Sequence, residues 1–365
     1  MRGDMRSAGK RLGKVFSGSK ADAMVVLNTG IIDSNFLYLT GFTSGVFEDT
    51  VLVAEPDRLT LFTSALEYQT AIEQKPKEME VVKVETRAAF VKGIGSALKG
   101  KTVGFNLDFI PYARYGKLKR ISGARKVVDS SKELTRARVL KDEEEIGNIR
   151  KANAITKKAF AGIGEYFKEG VTERELAARF DYIMGENGAG GRAFPTIVAF
   201  GKNAASPHHM PDGTRMKPNS FVLIDAGARH NNYCADMTRT AIFKPDRKSQ
   251  RYPMMEEMAA VVEGAQEAAF GIARAGVDGS EVHMAAERVI ETAHNGKYRG
   301  RFIHSLGHSI GIDVHDGGAG LSGNLHMKLE EGMVLSNEPG IYIEGFGGVR
   351  KEDDMVIRKG RAQWL

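Results

Sequence analysis

The chain has 365 residues, 42% apolar and 27% charged, enough for two folded domains and far from disordered or fibrous compositions. Its single cysteine, Cys234, excludes an internal disulfide framework and any all-cysteine metal site. No run approaches the roughly eighteen consecutive apolar residues of a membrane span. The net charge of +6 does not describe a nucleic-acid binder, because residues 1–20 carry six basic residues against one acid and the other 345 residues net only +1. That basic segment reads as a solvated helix or a frayed end. With no apolar signal core at the N-terminus, a cytoplasmic location is the simplest expectation.

In chain order, Ala23–Leu27, Thr50–Ala54, Leu59–Thr63, Val81–Val84, Thr102–Phe105 and Lys126–Asp129 read as Val-rich strands bounded by turn formers. Ala65–Gln74 and Arg87–Leu98 between them are compatible with helix. The alternation predicts an α/β domain with a mixed or mostly parallel sheet. Neither G-x-G-x-x-G nor a phosphate-binding loop follows any strand, so a nucleotide fold is not indicated. Composition shifts near Ser131–Thr135, and the domains are expected to divide into 1–134 and 135–365.

From Lys141 a long amphipathic helix is predicted, with Ile146, Ile149, Ala152, Ile155, Ala159 and Ile163 near a 3.6-residue spacing. Thr172 and Glu175 then form a capping-box pattern, and Asp278 and Glu281 offer a similar one further on. Each follows a long helix (141–168 and 253–274) and precedes a strand pair (221–242 and 333–358). The order α-α-β-β therefore occurs twice, which predicts a pseudo-two-fold α+β domain with a site between its halves.

The two strand pairs carry the chemistry. Phe221-Val222-Leu223-Ile224 stops at Asp225, and the chain returns as Tyr233-Cys234-Ala235-Asp236. A two-residue turn at His230–Asn231 sets Asp225 opposite Asp236, and one at Asn231–Asn232 makes them diagonal neighbours on the same face. In the second pair, a three-residue turn over Glu344–Phe346 sets Glu338 opposite Glu352. Facing carboxylates repel unless a cation lies between them. His304, His308 and His315 add three of the nine histidines within twelve residues. Four carboxylates and an imidazole suit a binuclear site for manganese, cobalt or zinc.

The ordered set Asp225, Asp236, His308, Glu338 and Glu352 resembles the five-ligand signature of the aminopeptidase P, prolidase and methionyl aminopeptidase superfamily. Ile224-Asp225-Ala226-Gly227, Asp236-Met237-Thr238-Arg239-Thr240, Gly307-His308, Asn337-Glu338-Pro339-Gly340 and Gly348-Val349-Arg350 with Glu352-Asp353 match its motifs in order and spacing. The resemblance implies the pita-bread fold over 135–365. Residues 21–130, with Asn35-Phe36-Leu37-Tyr38-Leu39-Thr40-Gly41-Phe42, resemble the smaller N-terminal domain of the proline-directed branch.

That resemblance implies two divalent metal ions, with manganese preferred, held by the five ligands and activating a water. It implies that Glu338 shuttles the proton, that His208 lies near the scissile bond and that His315 stabilises the tetrahedral intermediate. It further implies that His304 lines the proline-side pocket and that Arg350 orients Glu352 or the substrate. The expected activity is that of an Xaa-Pro aminopeptidase, acting on peptides with proline second, in a homodimer with no nucleic-acid or membrane partner. Ser309, Lys351 and Phe200 depart from the usual pattern, and none of them is a ligand. Many prolidases carry an arginine after the equivalent of His315 that grips a dipeptide's carboxylate. Here Asp316-Gly317-Gly318-Ala319-Gly320 supplies no basic residue, which favours longer peptides over a strict dipeptidase. A catalytically inactive binding module on the same fold would be expected to lack ligands, and none is missing. His209, His230, His283, His294 and His326 are assigned to surface or structural roles, and Cys234 to a small buried hydrophobe.

Overall fold

The computed structural model describes residues 8–365, so Arg2 and Arg6 of the basic segment lie outside the described residues. The chain divides into two compact units, Met1–Arg138 and Val139–Leu365. The first contains helices α1 (Gly9–Phe16), α2 (Ser34–Thr40), α3 (Ala65–Gln74), α4 (Arg87–Leu98), α5 (Tyr112–Ser122) and α6 (Ser131–Val139), the last ending at the division. Its strands are β1 (Ala23–Leu27), β2 (Val51–Ala54), β3 (Leu59–Thr63), β4 (Met79–Lys83), β5 (Thr102–Phe105) and β6 (Lys126–Asp129).

These six strands form one mixed sheet in the order β4-β3-β2-β1-β5-β6. The meander β1-β2-β3 is antiparallel, while β3-β4, β1-β5 and β5-β6 are parallel. Every residue of β1 is buried, as a central strand covered on both faces requires. Helix α1 is docked rather than frayed. Leu12 and Val15 are fully buried, and Arg11 donates to the Tyr38 carbonyl at 2.7 Å.

The second unit repeats two helices and a strand pair. Helices α7 (Glu143–Ile163) and α8 (Glu173–Glu186) precede the antiparallel strands Ser220–Ala226 and Met237–Phe243. Helices α9 (Tyr252–Ile272) and α10 (Gly279–Thr292) precede Val334–Asn337 and Asp353–Val356, also antiparallel. Both Asp142–Glu145 and Thr172–Glu175 form reciprocal capping boxes at α7 and α8. Asp278 caps α10 through Ser280 N, but the Glu281 side chain does not accept from the Asp278 backbone N–H, so only half of that expected motif forms. Two apolar clusters support the halves, one around α7 and α8 and a larger one around α9 and α10.

The registers fix the site. In the first hairpin Thr238 lies opposite Asp225, and Arg229 opposite Cys234. The turn therefore falls at Asn231–Asn232, both with positive φ (47° and 71°), the left-handed pair of a tight hairpin turn that asparagine tolerates. Asp225 and Asp236 are accordingly diagonal neighbours, not a directly facing pair. Gly227 sits where the strands press together, and a methyl there would stand 1.8 Å from the Ala235 carbonyl oxygen. Gly227→Ala is expected to cost about 1–3 kcal/mol or more of stability and to pull the two aspartates apart. Calorimetry and metal titration of the variant check both effects.

In the second hairpin Asn337 pairs with Asp353 on one side and Gly340 with Arg350 on the other. The same register carried through sets Glu338 opposite Glu352, with a three-residue loop at 344–346 and Gly345 at φ 75°. Helices α9 and α10 back this hairpin through the larger apolar cluster, which includes Leu335, Ile341, Val349 and Met355.

Candidate active site

All nine residues singled out from the sequence line one cavity of about 450 Å³: His208, Asp225, Asp236, His304, His308, His315, Glu338, Arg350 and Glu352. Phe194, Pro195, Ile197, Met210 and Val314 give it an apolar wall. None of His209, His230, His283, His294 and His326 is among its lining residues. Ala319 does not line it either, and packs partly buried against the larger apolar cluster.

The innermost grouping is Asp236, His308 and Glu352, whose ligand atoms lie within 4.8 Å of one another. His308 Nε2 is 3.6 Å from Asp236 Oδ2 and 3.3 Å from Glu338 Oε1. Burial and the neighbouring carboxylates push Asp236 and Glu352 well above the usual carboxylate range. Asp225 is also raised by burial, against the pull of Arg350. Glu338 goes the other way, because its hydrogen bond and attraction to His308 outweigh its own desolvation. The same contact holds His308 above its ordinary value despite burial.

Such a set fits divalent cations. Asp225 Oδ1 and Asp236 Oδ1 are buried oxygens with no hydrogen-bond partner, and each faces the other acids. Leaving lone pairs of this kind unsatisfied is costly, and a cation shared among the carboxylates removes both that cost and their repulsion. The mixed oxygen–nitrogen donors favour borderline or hard ions.

The roles of Thr238, Tyr342, Asn153 and Asp354 around Arg350 and the acids escaped the sequence reading. Arg350, 3% exposed, donates through Nη2 to Asp225 Oδ2 at 2.5 Å, through Nε to Thr238 Oγ1 at 3.0 Å and through Nη1 to Tyr342 Oη at 3.1 Å. It lies 3.9 Å from Glu352, so Asp225 is the acid it mainly orients. Thr238 passes the constraint on, donating to Glu352 Oε2 at 2.6 Å. Tyr342 joins Arg350 to His304 Nε2 at 2.9 Å, and burial pushes its phenol up to about 12. Asp354 accepts from Asp236 N and Asn153 Nδ2, and burial raises its carboxyl to about 7.

The departures from the family pattern find partners. Ser309 Oγ accepts from Lys141 Nζ at 3.0 Å, and Lys141 also pairs with Asp316 at 3.0 Å in a fully buried bridge that braces the segment between His308 and His315. Phe200 is buried in the smaller apolar cluster, and Lys351 forms a surface pair with Glu263. His315 stacks on His308 with ring centroids 3.8 Å apart.

Cys234 is fully buried, and its thiol contacts the Ile312 carbonyl oxygen at 3.2 Å. Burial pushes it up to about 12, so it stays a neutral thiol, and it is not among the residues that line the cavity. Cys234→Ala is expected to keep most activity and all bound metal, as assay and elemental analysis will tell.

Buried acids and imidazoles facing one cavity within a repeated α-α-β-β unit define a metal-dependent hydrolase of the pita-bread fold. The chain belongs to metallopeptidase family M24, whose family model matches residues 147–359, while the Creatinase/Prolidase N-terminal domain model matches residues 10–140. It is 35% identical to an Xaa-Pro dipeptidase of Pyrococcus furiosus over 317 residues, 86% of each chain. To an Xaa-Pro dipeptidase of Pyrococcus horikoshii it is 33% identical, over 98% of this chain and 95% of that one. The solved X-Pro aminopeptidase of Thermotoga maritima superposes with a TM-score of 0.86 at 30% identity, over 96% of each chain. No helix among the described residues is long and apolar enough to cross a membrane.

Proposed function

We propose that this chain is an Xaa-Pro aminopeptidase, hydrolysing the bond between an N-terminal residue and proline in peptides longer than two residues. Asp225, Asp236, His308, Glu338 and Glu352 would hold two divalent ions, for which manganese is the leading choice and cobalt or zinc the alternatives. Bound there, such ions polarise the scissile carbonyl and lower the pKa of the attacking water. Family resemblance extends the reading to a homodimer working in the cytoplasm.

The chain's own groups then divide the work. Glu338, kept ionised by His308 and further contacted by Ser336 Oγ at 3.2 Å, is ready to accept a proton and return it to the leaving nitrogen. Burial holds His304 and His315 below the ordinary imidazole value, so both are neutral near pH 7. His315 can then donate to a developing oxyanion without adding charge, whereas the single N–H of His304 is given to the Ser305 carbonyl at 2.8 Å. His208 lines the same cavity. His304, fixed by Tyr342, borders the pocket for proline.

One observation carries the length preference. Among the described residues Arg350 is the only lysine or arginine lining the cavity, and its three nitrogens are committed to Asp225, Thr238 and Tyr342. A dipeptide's free carboxylate would enter without a fixed cationic partner, whereas a continuing amide loses less on desolvation. The names of the Pyrococcus relatives favour the second reading, a strict Xaa-Pro dipeptidase. Rates on Xaa-Pro and Xaa-Pro-Yaa with Mn, Co and Zn separate the two. Tripeptides are expected to be cleaved at least as efficiently as dipeptides, and cleavage of dipeptides alone would replace the first reading with the second.

A further inference from the structure

Away from the cavity, Glu173, His209 and Asp212 bring one ligand-type atom each within 4.8 Å of one another. They do not form a second ion site, because the oxygens of Glu173 are already in use. Oε1 accepts from Phe200 N at 2.7 Å and from Asn203 Nδ2 at 3.0 Å. Oε2 accepts from His209 Nε2 at 2.7 Å and from Asp212 N at 3.1 Å. Asp212 turns its own Oδ1 to Thr214 N at 2.6 Å. Glu173 is the first residue of α8 and is fully buried. The helix adds backbone contacts of its own, from Glu173 N to Thr214 O and from Arg174 N to Asp212 O. One carboxylate therefore ties down four points of the segment 200–212, two on each side of residues 206–208.

That segment delivers Pro207 and His208 to the cavity wall. The imidazole of His208 makes no hydrogen bond to any described residue, so its place is set by the backbone that carries it. Pro207 offers its carbonyl to Arg350 Nη1 at a long 3.5 Å, which is a weak hold. The firm contacts are those of Glu173, whose four hydrogen bonds run from 2.7 to 3.1 Å.

We infer that Glu173 and His209 are positioning residues for His208: the buried carboxylate clamps both arms of its segment, and His209 closes the clamp by presenting Nε2–H. The inference rests on the proposed reading of His208 as a group facing the scissile bond. A displacement of about 1 Å at such a group can cost about 10²-fold in rate, so the clamp governs turnover without touching substrate.

Two substitutions test it on the metal-loaded enzyme. His209→Leu removes the donor at similar volume, and His209→Gln keeps an N–H near the position of Nε2. The Leu variant is expected to lose at least about tenfold in kcat/KM on an Xaa-Pro peptide, chiefly in kcat and with unchanged metal content. The Gln variant is expected to recover most of that. In a His208→Ala background, His209→Leu should have no further effect, since residues acting as a unit are not additive. An equal added loss there, or a parallel loss of metal, would overturn the inference.

Hydrogen–deuterium exchange over 200–212 needs no substrate and should quicken in the Leu variant and recover in the Gln variant. Unchanged exchange in the Leu variant refutes the clamp whatever the reaction is. Quickened exchange in a protein inactive on every Xaa-Pro peptide faults the assigned reaction and leaves the clamp standing. Should His209→Leu not fold, Glu173→Gln, which keeps volume and one acceptor oxygen, is read in the same way.

Discussion

Asp236→Asn is expected to strip the protein of metal and activity while raising the melting temperature of the metal-free chain. Both effects come from one carboxylate. Asp236 lies within 4.8 Å of ligand atoms of His308 and Glu352, and its Oδ1 has no protein partner. Removing an outer-shell partner of a metal already costs about 10–100-fold in affinity or activity, and the loss of an inner oxygen should exceed that.

Without metal the sign reverses. Asp225, Asp236 and Glu352 all have raised folded-state pKa values, through burial and mutual repulsion. A carboxylate raised in this way stabilises the fold fully only below its unfolded value near pH 4, and that contribution disappears as pH climbs through the folded value. At pH 7, above the unfolded value, the metal-free protein bears a penalty that is absent near pH 4. The neutral amide of asparagine removes part of it and can donate to a neighbouring acid. Scanning calorimetry with a chelator from pH 4 to 8 should show the variant melting above wild type at pH 7, with the gap closing toward pH 4. A variant that melts below wild type at pH 7 and keeps its metal would refute the assignment.

Arg350→Met should do the opposite to the metal-free protein. The guanidinium pairs directly with one of these acids, with side-chain exposures of 3% for Arg350 and 10% for Asp225. Methionine fills much of the volume but leaves Asp225 as an uncompensated buried charge, which costs about 3–5 kcal/mol. It also unties Thr238 and Tyr342, and through them Glu352 and His304. Urea unfolding of the metal-free variant should lose that stability, and metal titration should show weaker binding. Arg350→Lys should recover part of the stability and little of the activity, since one ammonium cannot reproduce three directed N–H contacts. Full activity in Arg350→Met would mean that the geometry around Asp225 does not depend on the guanidinium.

Much of this was legible in the sequence, for identifiable reasons. Strands such as Ala23–Leu27 and Leu59–Thr63 are short β-branched runs between turn formers, and their bounds follow from that punctuation. The hairpin registers follow from side-chain alternation, which left two turns open at Asp225 and Asp236. The asparagines at 231 and 232 decide between them, because both can take positive φ. What stayed hidden was lateral. Tyr342 reads as one more apolar strand residue until its hydroxyl is found between His304 and Arg350. Glu173 reads as an ordinary first-turn acid of a helix until its four partners are seen up to 39 positions away. Neither contact has a period in the sequence, since each depends on elements brought together only by the fold.

The two acid-bearing hairpins also bear on how the molecule comes apart. Asp225 and Asp236 arise within one local hairpin, Glu338 and Glu352 within another more than a hundred residues on. The fold's only thiol is buried, so no covalent link joins these two stretches. An ion held by both would act as a removable staple across a very long loop, formed only after the halves have met. Such a staple is absent from an early folding transition state and present in the native one. Metal should therefore slow unfolding far more than it hastens folding, and the chain would owe its lifetime in the presence of proteases to ion occupancy.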